Sequence, residues 1–247
     1  MGIGRIPCTN LVNCSLAADS NIHSKLGESR SSEAVTRHLY EKILQAQEHN
    51  LSAAPWETRV LGFAAAPDDD PFQSVLATLV ANISSGEHED VCGSHAFVGA
   101  LDDEATYLRA PRLSQVVACI VHGMKLDESS SSFTQYAIMY QYWTLFRWML
   151  SPTRDTYRAI PQNAKPGPYQ LFVPHARTFD FLVQPALRDL MCRNEAPDVR
   201  WLTDGMATIR CQWPKTLDYA LCRDGWTAEI DLNPVAKVSF AKPKYHK

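Results

Sequence analysis

Two residues near the middle of the second half of the chain could carry out acid–base chemistry. His175 and Asp180 lie five positions apart in a stretch bounded by Pro174 and Pro185. A histidine with a carboxylate partner can act as a general acid or base near neutral pH. The same pair can instead be a buried structural contact, because buried polar groups are normally hydrogen-bonded. The spacing allows both interpretations.

A second candidate site is an aromatic stripe that ends in a cation. Its members are spaced by four, three and four positions, so they share one face of a helix. They are Tyr136, Tyr140, Trp143 and Arg147. The stripe can line a substrate cavity, or it can be ordinary core, which aromatic residues dominate. Arg147 lies in an apolar helix and needs an acceptor, for which Asp180 and Asp189 are the candidates.

The remaining chemical motifs favour neither a metal nor a cofactor. The acidic residues at 68–70 and 102–104 lack the D-D-x-x-D spacing of diphosphate-binding helices, so we interpret them as solvated loop acids. No G-x-S-x-G elbow and no glycine-rich phosphate loop occur in the sequence. We therefore expect a site without a metal and without a cofactor.

Hydrophobic periodicity predicts an all-α, mostly helical protein. The predicted helices cover 33–50, 72–83, 113–124, 133–150, 153–160 and 186–194. The segment 133–150 is apolar around nearly its whole circumference, which is typical of a helix buried at the centre of a core. Prolines then punctuate 152–185, which predicts an extended segment that wraps around this helix.

The domain organisation follows from the same pattern. Residues 1–32 are rich in Ser, Asn and Gly and are interpreted as a flexible arm, whereas 33–247 is predicted to be one compact domain. A short strand or helix is expected within 201–213, and the basic tail at 235–247 is expected to fray.

Charge and cysteine usage exclude several classes of partner. The chain has 24 basic and 27 acidic residues and a net charge of -3, so it has no basic excess to neutralise phosphates. No segment is long and apolar enough to span a bilayer. Seven cysteines without a C-x-x-C pair are typical of reduced intracellular thiols. We therefore expect no direct contact with nucleic acid or membrane.

The block from 136 to 189 carries a set of motifs in a fixed order. They are the helix end WTLFRWMLSPT, Tyr157, Ile160-Pro161, the P-x-P-x-Q-L set from Pro166 to Leu171, Pro174-His175, Asp180 and PALRD at 185–189. This block resembles the fungal domain of unknown function that follows the basic leucine zipper in many bZIP-type transcription factors. It departs from that pattern at Thr178, where the family usually has a tryptophan.

The resemblance implies the regulatory half of such a factor, standing alone. A bZIP protein needs a basic helix joined to a leucine heptad, and the only candidate, 33–50, has no basic cluster. A module of this kind that lacks the DNA-binding helix can still bind a partner protein, or it can bind a substrate in an apolar cavity.

The first functional hypothesis is a cofactor-independent enzyme of fungal secondary metabolism. It would be a cyclase or isomerase that orients an apolar polyketide or terpenoid. Tyr136, Tyr140 and Trp143 would bind the substrate, and His175, Arg147 and Asp180 would be catalytic. The alternative is a non-catalytic transcription-regulatory or protein-interaction module. A homodimer or a bZIP-type protein is the partner expected in that case, and the expected location is the cytoplasm or the nucleus.

Overall fold

The computed structural model describes residues 28–62, 71–83, 91–93, 98–124, 132–193, 211, 213, 216–223 and 230–240. In these ranges the chain is mostly helical, which confirms the predicted fold class. The helices are α1 (Glu28–Ser52), α2 (Pro71–Ile83), α3 (Glu104–Arg109), α4 (Arg112–Gly123), α5 (Ser132–Leu150), α6 (Arg154–Ala159), α7 (Pro168–Phe172), α8 (Pro185–Arg193) and α9 (Pro234–Phe240). Short 3₁₀ turns lie at Val98–Leu101, Gln162–Ala164, Arg177–Phe181 and Leu217–Tyr219.

The central helix α5 is buried along most of its length, as its sequence predicts. Ile138, Met139, Tyr142, Leu145 and Phe146 have no exposed surface. A helix that is apolar on every side can be stable only if other elements cover every side. In the structure α4 packs along α5, and α2 and α6 contact it as well.

The proline-rich segment after α5 wraps back around it, and its local structure follows from its caps. Pro152 prevents continuation of α5, and Thr153 then caps α6 by accepting a hydrogen bond from the backbone N–H of Thr156. The Tyr157 ring meets the Trp148 ring edge-on, with 5.8 Å between ring centres. The predicted wrapping segment is therefore present, although short helical turns replace much of its expected extended path.

Further along, the same segment completes the aromatic core. Phe181 has no exposed surface, and its ring centre lies 4.4 Å from those of Phe72 and Phe146. The Tyr142 ring contacts it edge-on at 5.2 Å. One side chain of the wrapping segment thus joins α2 to two turns of α5.

The C-terminal part contains elements that the sequence analysis did not predict. Strands β1 (Leu221–Arg223) and β2 (Ile230–Leu232) form an antiparallel hairpin. The prediction of a frayed tail at 235–247 was wrong for residues 235–240, which belong to α9. Asn233 caps this helix by accepting from the N–H of Ala236, and Ala236 is completely buried.

Two further predictions concern the ends of the chain. Helix α1 begins at Glu28, before the predicted start at 33. Residues 1–27 of the predicted arm lie outside the described residues, as do almost all of 201–213 and the positions 241–247. Among the helices that are described, none combines the length and apolarity needed to cross a bilayer.

Candidate functional site

The structure brings His175 and Asp180 into direct contact, as the acid–base hypothesis requires. Nε2 of His175 lies 2.9 Å from Oδ1 of Asp180. His175 lies two residues before the 3₁₀ turn Arg177–Phe181, and this turn carries Asp180 back towards the ring. Both side chains are buried, with 1% of the His175 side chain and none of Asp180 exposed.

Both ring nitrogens of His175 face acceptors, which decides its protonation state. Nδ1 lies 2.7 Å from the carbonyl oxygen of Val173, which can only accept, so Nδ1 donates. Nε2 donates to the Asp180 carboxylate. Burial lowers the pKa of His175, but this effect is outweighed by the charge of Asp180, the hydrogen bond to Asp180 and the interaction with Cys192, so the pKa is raised from 6.5 to about 10. The ring is therefore an imidazolium at neutral pH.

Asp180 is the acceptor at the centre of the cluster. Its Oδ1 also accepts from Nε2 of Gln170 at 2.6 Å, and its Oδ2 accepts from Nη1 of Arg177 at 3.0 Å. Full burial raises the pKa of Asp180, yet the charges of His175 and Arg177 and the hydrogen bonds outweigh burial and hold this pKa below its ordinary value. The carboxylate is thus a buried anion between two cations.

Arg177 links this cluster to two distant parts of the chain. Its Nη2 donates to the carbonyl of Gly62 at 2.7 Å, and its Nε donates to Oε1 of Gln73 at 3.2 Å. The sequence analysis missed Arg177 as a partner of Asp180, although it lies three positions away. It also missed the side-chain contact of Gln170 with Asp180.

Gly62 lies so close to the cluster that no side chain fits there. A Cβ atom at this position would lie 2.7 Å from Cζ of Arg177 and 2.7 Å from Oδ2 of Asp180. Backbone hydrogen bonds hold the strand-like segment in place: Leu61 donates to Gln170 at 2.7 Å, and His175 donates to Leu61 at 3.1 Å. Residues 61–62 therefore seal one side of the ion-pair cluster.

The predicted substrate-binding stripe is part of the core. Tyr136, Tyr140 and Trp143 expose only 6%, 8% and 2% of their surfaces. The Tyr136 hydroxyl donates to the carboxylate of Asp102. The Tyr140 hydroxyl lies 3.5 Å from the carbonyl oxygen of Ala159.

Two of the aromatic rings in this stripe each contact a cation, one from α9 and one from Arg147 of the stripe itself. The ammonium of Lys237 in α9 lies 5.0 Å from the ring centre of Tyr140, and the guanidinium of Arg147 lies 5.0 Å from that of Trp143. Lys237 also pairs with Asp231 at 2.6 Å. Burial and the charge of Asp231 raise the pKa of Tyr140 to about 12. Tyr140 is therefore a neutral phenol at neutral pH.

Arg147 does not join the His175–Asp180 pair. The expected partner Asp180 binds Arg177 and His175 instead, so that expectation was wrong. No ion pair joins Arg147 to Asp189 either, within the ranges that the structure describes. The three predicted catalytic residues are therefore divided between the ion-pair cluster and the aromatic stripe.

The acidic run at 102–104 has structural contacts, and the run at 68–70 lies outside the described residues. Asp103 caps α3 by accepting from the N–H of Thr106 at 2.9 Å and from its hydroxyl at 2.7 Å. These hydrogen bonds lower the pKa of Asp103. Asp102 and Asp103 therefore serve as a hydroxyl acceptor and a helix cap.

A comparison with known families identifies the C-terminal part of the chain. Residues 143–244 match the family described as Domain of unknown function (DUF3425), which occurs in bZIP-type transcription factors. The matched region contains His175, Arg177 and Asp180 but not Gly62 or α1. No curated protein and no solved structure matches the chain.

Proposed function

From the premise that residues 143–244 match a domain family of bZIP-type transcription factors, we propose that this protein is a non-catalytic transcription-regulatory module. It acts by contacting another protein, a bZIP-type factor, and does not contact DNA itself. The compartment that fits this action is the nucleus, one of the two considered above.

The proposal that the protein is not a catalyst rests on the hydrogen bonding of His175, because both of its ring nitrogens already donate to acceptors within the protein. A general base needs a free lone pair and a path to substrate, and a general acid needs a partner that receives its proton. Both nitrogens of this ring donate to fixed acceptors, and 1% of its side chain is exposed. Such a ring is suited to fixing the Asp180 carboxylate against the backbone at Val173.

The charge balance supports a protein partner over direct DNA binding. A net charge of -3 leaves no basic excess for the salt-dependent contacts that hold a duplex. Arg177 is one of these basic residues, and it forms a buried ion pair with Asp180 and so cannot contact a phosphate. A regulator of this composition modulates DNA binding through the factor that reads the DNA.

The test uses the purified full chain, a bZIP-type factor with the same domain family, and a fluorescent DNA duplex containing the factor's site. Fluorescence anisotropy measures the Kd of the factor for DNA with and without the protein. We expect a change of at least about fivefold, the lower end of ordinary coupling between two binding events. The protein alone leaves the anisotropy of the duplex unchanged.

The cyclase or isomerase predicted from the sequence remains a prediction, and a parallel assay addresses it. The protein is incubated with acyclic polyene polyketides and terpenoid alcohols, and the products are separated by chromatography. Conversion by wild-type protein that is lost in a folded Arg147→Gln variant would contradict the non-catalytic proposal. An unchanged Kd for DNA, with no binding between the two proteins by calorimetry, would contradict the regulatory proposal.

A further inference from the structure

Two buried carboxamide side chains meet where the wrapping segment packs against the central helix. Gln141 lies in the middle of α5 and has no exposed surface, and Asn163 lies in the 3₁₀ turn Gln162–Ala164 and is 7% exposed. Nδ2 of Asn163 donates to Oε1 of Gln141 at 3.4 Å. A polar pair thus lies within the interface between α5 and the turn.

This contact leaves one polar atom of each side chain to be accounted for. A carboxamide carries an acceptor oxygen and an NH₂ group that donates. Nε2 of Gln141 and Oδ1 of Asn163 are both buried, and neither forms a hydrogen bond within the part of the chain that the structure describes. A buried polar atom without a partner costs free energy, because its hydrogen bonds to water in the unfolded chain are lost. The site therefore requires a further partner that both accepts and donates.

The two side chains do not satisfy each other directly. Two carboxamides can form a closed pair with two N–H···O hydrogen bonds, each within the ordinary range of about 2.7–3.2 Å. Here the single contact is longer, at 3.4 Å, and Nε2 of Gln141 does not donate to Oδ1 of Asn163. Rotating both amides by 180° exchanges the atoms that meet but still leaves one donor and one acceptor. The pair is therefore open on one side.

Hydrogen bonds on the far side of the turn hold Asn163 at this separation. Nη2 of Arg188 in α8 donates to the backbone carbonyls of Asn163 at 3.0 Å and of Lys165 at 2.9 Å. Nη1 of the same guanidinium donates to the carbonyl of Leu182 at 3.2 Å. Gln141 is fixed in turn by its place in the buried helix α5. The open side of the amide pair is thus set by the backbone contacts around it.

A water molecule has the chemistry that this site requires. It can accept from one group and donate to another at the same time, and a buried water typically makes about three hydrogen bonds to polar groups that lack other partners. A cation would face an N–H group here, and an anion would face a carbonyl oxygen. Burial of both atoms also restricts the occupant to a very small molecule.

We propose that an internal water molecule binds between Gln141 and Asn163, where it accepts from Nε2 of Gln141 and donates to Oδ1 of Asn163. The water completes a polar connection that runs from α5 through the turn Gln162–Ala164 to Arg188 in α8. It is a structural ligand of the wrapping segment. This site does not depend on the proposed regulatory function.

NMR of the full chain labelled with ¹⁵N tests the proposal. A long-lived internal water gives laboratory-frame and rotating-frame Overhauser effects of opposite sign at nearby amide protons, which short-lived surface water does not. We expect these effects at the side-chain NH₂ groups of both Gln141 and Asn163. Gln170 is the internal control, because it is also buried but donates to Asp180 at 2.6 Å and accepts from the N–H of Gly167 at 3.0 Å. Its NH₂ group should show no such water signal.

Substitutions test whether one water contacts both side chains. Asn163→Leu removes the acceptor, so we expect the water signal at Gln141 to disappear, and Gln141→Met identifies that signal by deleting it. Gln184→Met, at an exposed glutamine, is the matched control and leaves the water signals unchanged. Circular dichroism checks that each variant is folded.

The spectrum of the wild-type protein decides the proposal even if a variant fails to fold. Absence of a water signal at Gln141 and Asn163, with direct contacts between their two NH₂ groups, would mean a closed amide pair and would overturn the proposal. A water signal at Gln141 that survives in folded Asn163→Leu protein would overturn the bridging geometry.

Discussion

The carbonyl oxygen of Gly62 accepts a hydrogen bond from Nη2 of Arg177 at 2.7 Å, across 115 residues of sequence. Through this contact the buried ion-pair cluster reaches from the wrapping segment to the segment that follows α1. The cluster therefore positions the region that matches the DUF3425 family against a region outside that match.

Removal of the central carboxylate tests this structural role. Asp180→Asn leaves the imidazolium of His175 and the guanidinium of Arg177 buried without their anion. Loss of one partner of a buried ion pair costs about 3–5 kcal/mol, so we expect a decrease of that size in the free energy of unfolding in urea.

The matched control for this experiment is Asp155→Asn. Asp155 lies 3.8 Å from Arg158, and 93% of its side chain is exposed. An exposed pair of this kind contributes about 0–1 kcal/mol. Equal effects of the two substitutions would contradict the structural role of Asp180.

A methyl group at Gly62 tests how closely this residue packs against the ion-pair cluster of His175, Arg177 and Asp180. In Gly62→Ala the new Cβ would lie 2.7 Å from Arg177 and Asp180 atoms, which cannot move without breaking their hydrogen bonds. Overpacking of this kind costs about 1–3 kcal/mol. At Gly123 a Cβ meets nothing within 4 Å, so Gly123→Ala is the matched control and retains full stability. Thermal unfolding compares the two variants. A Gly62→Ala protein as stable as the wild type would show that there is room for a methyl group between residue 62 and the side chains of Arg177 and Asp180.

The anchoring of the wrapping segment is tested at Phe181. Phe181→Ala removes the ring that contacts Phe72 and Phe146, and such truncation in a core costs about 3–5 kcal/mol. Leu190→Ala, in which the side chain is 46% exposed, provides the control, with a change near zero. Urea unfolding distinguishes the two. A loss at Phe181 no larger than that at Leu190 would mean that the segment is not part of the core.

The local structure of α5 and the wrapping segment could be predicted because the signals lie within a few residues of each other. The apolar run from Phe133 onwards predicts a buried helix, and Pro152 with Thr153 predicts where it stops and where α6 starts. The observed bounds Ser132–Leu150 and Arg154–Ala159 agree with this. Asn233 before Pro234 is a cap signal of the same kind, and reading it would have predicted α9.

The composition of the candidate site could be predicted only in part, for a physical reason. His175 and Asp180 are close in sequence, so their pairing follows from local spacing. The contacts of Arg177 with Gly62 and Gln73 join residues more than a hundred positions apart, and no local pattern encodes them. Amphipathic spacing likewise shows that Leu39 and Leu44 share a face, but not whether this face contacts the protein itself or another molecule.

The pH dependence of stability follows from the raised pKa of His175. The imidazole has a pKa of 6.5 in the unfolded chain and about 10 in the folded protein. Stabilisation from the ion pair is therefore complete below pH 6.5 and is lost as the pH rises towards 10, with a slope of at most about 1.4 kcal/mol per pH unit for one proton. The difference in unfolding free energy between wild-type and His175→Gln protein should shrink across this range. A constant difference would show that the ring does not carry a proton at neutral pH.

The most direct test of the central claim is the protonation state of the His175 ring, measured by ¹⁵N–¹H NMR of protein with labelled histidine. We expect a proton on each ring nitrogen at pH 7 to 9, with Nδ1–H donating to the carbonyl oxygen of Val173 and Nε2–H donating to the Asp180 carboxylate. A ring that titrates near its ordinary pKa of 6.5, with one nitrogen free at neutral pH, would contradict it. Such a result would restore His175 as a candidate base.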